Sequence, residues 1–132
     1  MESIDLVDVA AKRIREAGYH DAGVKRIADL SSGGIAVRRL PATSTGSYYD
    51  GSREIAYLFQ VVVARESERR AIDECCGIAS MLPNLDLSSE NGTYLLTSVS
   101  VYTEPQEIEL SGNGNAVWEC RFKALVTTEG RI

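Results

Sequence analysis

The chain has one histidine, His20, with no second one to complete an HExxH pair or a metal cluster. Its cysteines are equally sparse: Cys75 and Cys76 are adjacent and Cys120 stands alone. That is a poor disulfide framework and points to a reducing compartment. No apolar run approaches the roughly 20 residues of a membrane-crossing helix. The opening Met-Glu-Ser-Ile-Asp lacks the basic-then-apolar layout of a signal peptide. There is no P-loop, and Gly112-x-Gly114 lacks the third glycine and the following helix of a dinucleotide site. Basic residues are outnumbered, 14 Lys and Arg against 19 Asp and Glu, for a net charge of -5. The groups Lys12-Arg13, Lys25-Arg26 and Arg38-Arg39 are interleaved with acids, so they read as solvated faces. Neither direct nucleic-acid recognition nor a membrane partner is expected.

The remaining chemistry-bearing residues offer no catalytic constellation. His20 falls in a connection and reads as a surface side chain. The three cysteines read as small hydrophobes, two in a helix and one facing inward on a strand. Glu104, Glu107 and Glu109 flank Pro105 in a turn-like segment, which makes an acidic loop a better reading than an acid–base pair or metal site. Asn91-Gly92-Thr93 matches a glycosylation sequon, without a secretory signal to expose it to the enzyme. The expectation is a protein with no catalytic residues, no cofactor and no metal, folded in a cytoplasm.

What the chain does have is one dominant segment. Asp50-Gly51 is a turn signal, and from Ile55 to Ala64 the only polar side chain is Gln60. The run is rich in β-branched and aromatic residues and predicts a strand buried on both faces. Ile55, Tyr57, Phe59, Val61 and Val63 share one face; Ala56, Leu58, Val62 and Ala64 share the other.

The other elements are arranged around it. Residues 3–17 predict an amphipathic helix capped by Ser3, with Asp5 in its first turn, a stripe of Ile4, Val7, Ala10 or Ala11, and Ile14, and a stop at Gly18. Residues 19–32 read as a connection, 35–40 as a short strand, and 41–47 as a flexible loop. Ser67 caps a second helix with the stripe Ala71, Ile72, Cys75, Cys76, Ala79 and Leu82, ended by Pro83. Leu85–Leu87 reads as a brief extended piece, joined through Asn91-Gly92 to a strand over 93–103 that Glu104-Pro105 stops. A last strand over 116–127 turns Trp118, Cys120, Phe122, Ala124 and Val126 inward and Glu119, Arg121 and Lys123 outward. The sum is one α+β domain over residues 1–132. It has a mixed, mostly antiparallel four- to five-stranded sheet and two helices packed on one face. Two helices cover one face only, so the second face of the central strand needs cover from a partner subunit or from loops folding back.

Four blocks resemble a family of small phage minor capsid proteins: Tyr48-Tyr49-Asp50-Gly51-Ser52-Arg53-Glu54, Asn91-Gly92-Thr93-Tyr94, Val101-Tyr102-Thr103-Glu104-Pro105, and Trp118 to Ala124. The likeness spans roughly residues 33–127. Members look like the tail terminators of long-tailed, siphovirus-type phages. The resemblance implies a structural protein that assembles as a six-membered ring on the tail tube, stops its growth and presents a surface to the head. Implied partners are further copies of the chain, the major tail tube protein and a head-completion or connector protein. The implied location is the head–tail junction of the virion, with the host cytoplasm as the place of assembly.

On this reading the segments 43–51 and 104–115 are loops that supply contacts to other subunits or to the tube. The candidate contact residues are Tyr48, Tyr49, Asp50, Arg53, Glu54, Glu104 and Glu107, with Arg53 and Glu54 as a candidate pair across a subunit boundary. A head-completion or connector protein is the neighbouring alternative. A small-ligand-binding or hydrolytic α+β domain, with a pocket between helix and sheet, is the alternative of another class.

Overall fold

The computed structural model describes residues 4–30, 32–41, 43–47, 53–108 and 115–128, with the backbone alone at 28 and 43–47. In chain order these form α1 (Leu6–Glu16), β1 (Ala22–Val24), a 3-10 turn (Ile27–Leu30), β2 (Gly34–Arg39), β3 (Thr43–Ser47) and β4 (Arg53–Arg65). Then follow α2 (Glu68–Met81), a second 3-10 turn (Leu82–Asn84), β5 (Leu95–Ile108) and β6 (Ala116–Thr128). The six strands make one open mixed sheet in the order β1-β2-β4-β6-β5, with β3 paired to the front half of β4. Only β1 and β2 run parallel.

The central strand is where its composition places it. β4 pairs along its whole length with β6, from Arg53 opposite Thr128 to Arg65 opposite Ala116. Tyr57, Phe59, Val61 and Val63 are buried beneath both helices, against Leu6, Val9 and Ile14 of α1 and Ala71, Cys75 and Ile78 of α2. Phe59 stacks on Phe122 of β6 with ring centroids 5.2 Å apart. Each such side chain contributes about 1.5–3 kcal/mol by leaving water.

The reverse face divides into two parts. At one end Leu30 of the first 3-10 turn lies over Ala36, Val62, Ala64 and Val117, a second, smaller apolar cluster. A loop folding back therefore supplies that cover. Further along, Ala56 and Leu58 are only half-buried.

Several local expectations change. α1 starts at Leu6, and the Asp5 carboxylate at its N-cap position makes no capping hydrogen bond. It accepts hydrogen bonds from Ser89 Oγ at 2.8 Å, Glu90 N at 3.0 Å and Asn91 N at 3.1 Å instead. Ser3 lies outside the described residues. The buried stripe accordingly shifts in phase to Leu6, Val9, Ala10, Ala11 and Ile14, with Ile4 and Val7 at its margin. Gly18 ends the helix at φ 116°, a conformation that suits glycine. Part of the supposed connection forms β1, and part of the supposed loop 41–47 forms β3. Leu85 has extended backbone, and Leu85–Leu87 forms no part of a strand.

α2 begins where expected, the Ser67 side chain accepting from Arg70 N at 3.3 Å. Its buried face holds Ile78, while Cys76 points to solvent and Ile72 is half-buried. Pro105 does not stop β5. Register shifts between Val101 and Thr103 and between Thr103 and Gln106 let the strand absorb it and continue to Ile108. An edge strand tolerates proline because its outward N–H has no ladder partner to lose.

Candidate interaction surface

β5 is the element that the fold leaves open. Among the described residues it pairs only with β6 and closes one end of the sheet path, and its 14 residues are exposed or half-buried, none of them buried. Val99 and Val101 pack against the core, while Leu95 is 72% exposed and Tyr102 57% exposed. Its bulges and Pro105 interrupt the free hydrogen-bonding edge, an arrangement that discourages indiscriminate strand pairing. Glu104 and Glu107 are exposed on this strand. They sit on a sheet edge, so the expected loop over 104–115 is strand as far as Ile108. Glu104 also overlooks a shallow groove between α2 and β5, lined with Cys76, Ala79, Pro83, Val101 and Pro105.

The other candidate residues are not gathered with these two. Arg53 and Glu54 open β4 at the far side of β6, opposite Ser47 and Gly46 of β3. Tyr48, Tyr49 and Asp50 lie outside the described residues. His20 is exposed in the turn after α1. Cys75 and Cys120 are buried against each other, with Cys120 Sγ 4.0 Å from the Cys75 carbonyl oxygen. That contact and burial push the Cys120 thiol well up from its ordinary range.

Two polar clusters tie the sheet together, one of them beside this edge, and sequence reasoning missed both. On the reverse face Glu119, 4% exposed, accepts hydrogen bonds from Gln60 of β4, from Gln106 Nε2 of β5 at 2.8 Å and from Arg121 Nε at 2.8 Å. Burial pushes this carboxyl up; the bonds from Arg121, Gln60 and Gln106 outweigh it and hold it below its ordinary range. The signal was Gln60, alone among apolar neighbours: a buried amide needs a partner. At the end of β4, Arg65 donates to Asp21 Oδ2 at 2.6 Å and Oδ1 at 3.0 Å, and to Glu74 Oε1 at 2.7 Å. It thereby ties the sheet to α2 and to the turn before β1. The Arg65 guanidinium holds the Asp21 carboxyl below its ordinary range.

The described residues contain no group of three or more His, Cys, Asp or Glu placed to hold a metal ion, and no helix long and apolar enough to cross a membrane. What the arrangement offers is an exposed acidic strand braced from behind by a saturated polar network.

No protein-family model matches the chain, and no curated protein matches it. Among solved structures, it is similar to a chain of the virion of a native gene transfer agent (GTA) particle. The TM-score is 0.54 at 13% sequence identity, over 86% of this chain and 84% of that one. The two chains share a fold. At so low an identity the likeness is one of backbone architecture.

Proposed function

We propose that this chain is a structural protein of a phage or phage-like virion, working by assembly without chemistry of its own. The observation that carries the reading is the fold shared over most of both chains with a component of a virion. The YYDGSREI and VYTEP blocks, with their likeness to phage minor capsid proteins, support it from the sequence side. Within that class we assign it the tail-terminator role: copies cap the tail tube as a ring, contact the major tail tube protein, and join the tube to the head-completion or connector protein. An exposed, discontinuous edge strand suits a part that docks selectively on copies of itself and on a tube.

The test is electron microscopy of phage particles made with this gene disrupted. Overlong tails without heads are the expected result. Tails of normal length attached to nothing would reassign the chain to head completion, and intact particles would remove it from virion assembly altogether.

A further inference from the structure

Residues 85–94 form a strap that runs from the second 3-10 turn to β5 and is latched onto the start of α1. Leu87 and Tyr94 seat it in the core, the Tyr94 hydroxyl donating to the Leu87 carbonyl. Asp5 holds its outer turn through Ser89 Oγ, Glu90 N and Asn91 N, and Lys12 Nζ meets Glu90 Oε2 at 2.8 Å. Thr93 N is taken by Ser89 Oγ and Asn91 Oδ1. Gly92 N, between these amides, makes no hydrogen bond among the described residues. Asn91 is exposed, Gly92 sits at φ 77°, and a Cβ built on Gly92 would meet nothing within 4 Å.

The Asn91 side chain is folded over that unengaged amide. Its Oδ1 accepts from Thr93 N at 3.2 Å, an Asx turn whose hydrogen-bonded ring contains Gly92 N. The same oxygen accepts from Thr93 Oγ1 at 2.6 Å. The Ser89 hydroxyl lies 3.0 Å from it but has a single hydrogen, for which Asp5 competes at 2.8 Å. The two Thr93 donors draw charge from Asn91 Cγ and stand ready for the charge that builds on Oδ1 when that carbon is attacked.

We infer that Asn91 is a site of spontaneous covalent modification, and that its conversion releases the strap from α1. Gly92 N gives its proton to solvent and bonds to Asn91 Cγ. The Cγ–Nδ2 bond breaks and ammonia leaves, which closes a succinimide ring. Water opens the ring at either carbonyl, giving aspartate or isoaspartate at this position. As a glycosylation sequon these three residues need a secretory enzyme; as a succinimide site they need only water. The reaction proceeds whatever the chain assembles with.

Either product adds a carboxylate to a cluster that already holds Asp5, Asp86 and Glu90. The bases facing the turn are Lys12 and Arg13; both pair with Glu90, and Arg13 also with Glu16. Asp5 repels the new charge while binding the same residue's own N–H at 3.1 Å. Isoaspartate in addition lengthens the main chain by a methylene, which moves Thr93 N from its place 3.1 Å from Ser89 Oγ.

The test holds the full chain in mildly alkaline buffer, native and urea-unfolded in parallel, and follows each asparagine by peptide mass. Asn91 is expected to convert in the native chain no more slowly than in the unfolded one, with isoaspartate detected by isoaspartyl methyltransferase labelling. Asn84, which precedes Leu85, should stay intact. Protection of Asn91 by folding overturns the site. Thr93→Val removes the hydroxyl donor; it should slow native conversion several-fold and leave unfolded conversion unchanged, and Thr93→Ser should restore the native rate. Equal native rates in the three chains overturn the part given to Thr93. The comparison of native with unfolded wild-type chain needs no variant, so it decides the site even where Thr93→Val does not fold. Amide exchange over residues 86–93 should rise in the isoaspartate-containing chain, and less in Asn91→Asp, which carries the charge without the longer main chain. Exchange in β4 and β6 should stay as it was. Unchanged exchange over 86–93 in the isoaspartate-containing chain overturns the release.

Discussion

Gln60 and Glu119 lie diagonally on neighbouring strands, Gln60 opposite Arg121 and Glu119 opposite Val62, and the Gln60 amide donates to the Glu119 carboxylate. Both are buried on the reverse face of a sheet whose front face is fully apolar at its centre. The carboxylate is worth its desolvation only because donors from β4, β5 and β6 converge on it. The network links the three longest strands in one register.

Removing one partner should therefore cost more than removing both. Glu119→Leu strands the amides of Gln60 and Gln106 and is expected to lower unfolding free energy by about 1–3 kcal/mol. Adding Gln60→Leu to it should recover part of that loss. Urea unfolding of the two single variants and the double variant measures the coupling, expected at about 0.5–3 kcal/mol. Strict additivity would mean that the two side chains do not interact.

Acid should expose the same groups. The folded-state pKa of Glu119 and of Asp21 is depressed. Their contribution is thus present above the ordinary carboxylate value of about 4 and is lost as pH falls through the folded values. Denaturant midpoints should hold from neutral pH down to that range and then drop. In Glu119→Gln the acid drop should be shallower, and an identical pH profile would show that Glu119 does not contribute.

Arg65 holds Asp21 and Glu74 at once, in a setting where its own side chain is 10% exposed. Arg65→Met keeps much of the volume and removes the fork. The Glu74 carboxylate, 18% exposed, then loses this donor and keeps Arg70 at 2.9 Å. A loss of about 1–3 kcal/mol is expected. Amide exchange should rise first at residues 19–24, where the turn loses its anchor, and unchanged exchange there would refute the anchoring role.

The thiols should separate cleanly. Cys75 and Cys120 are fully buried and Cys76 is exposed. A thiol reagent at neutral pH should modify one cysteine in the native chain, identified as Cys76 by peptide mass, and all three after unfolding. Partial desolvation of the exposed Cys76 thiol, with Cys75, Asp73 and Glu104 nearby, raises it, so its labelling rate should still climb above the ordinary thiol range. Rapid native labelling of Cys120 would contradict the packing of α2 on β6.

Composition and spacing were enough for the α+β class, for β4 with its two apolar faces, for α2 from the Ser67 cap to Pro83, and for the extent of β6. These are local properties: side-chain alternation, capping and the missing proline N–H act within a few residues wherever the segment ends up. Tertiary structure decided the rest. β1 and β3 are three and five residues long and exist because β2 and β4 offer them partners. Asp5 gives up its helix for a turn 84 to 86 residues away. Glu119 was legible as an outward acid and is buried, because its donors come from strands 13 and 59 residues distant as well as from nearby Arg121. Pro105 was legible as a stop and is an edge position, since only the sheet order leaves β5 at the end of the path that the described strands form. Which side chains are inside, and which edge stays open, follows from pairings between distant segments, and no local pattern encodes those.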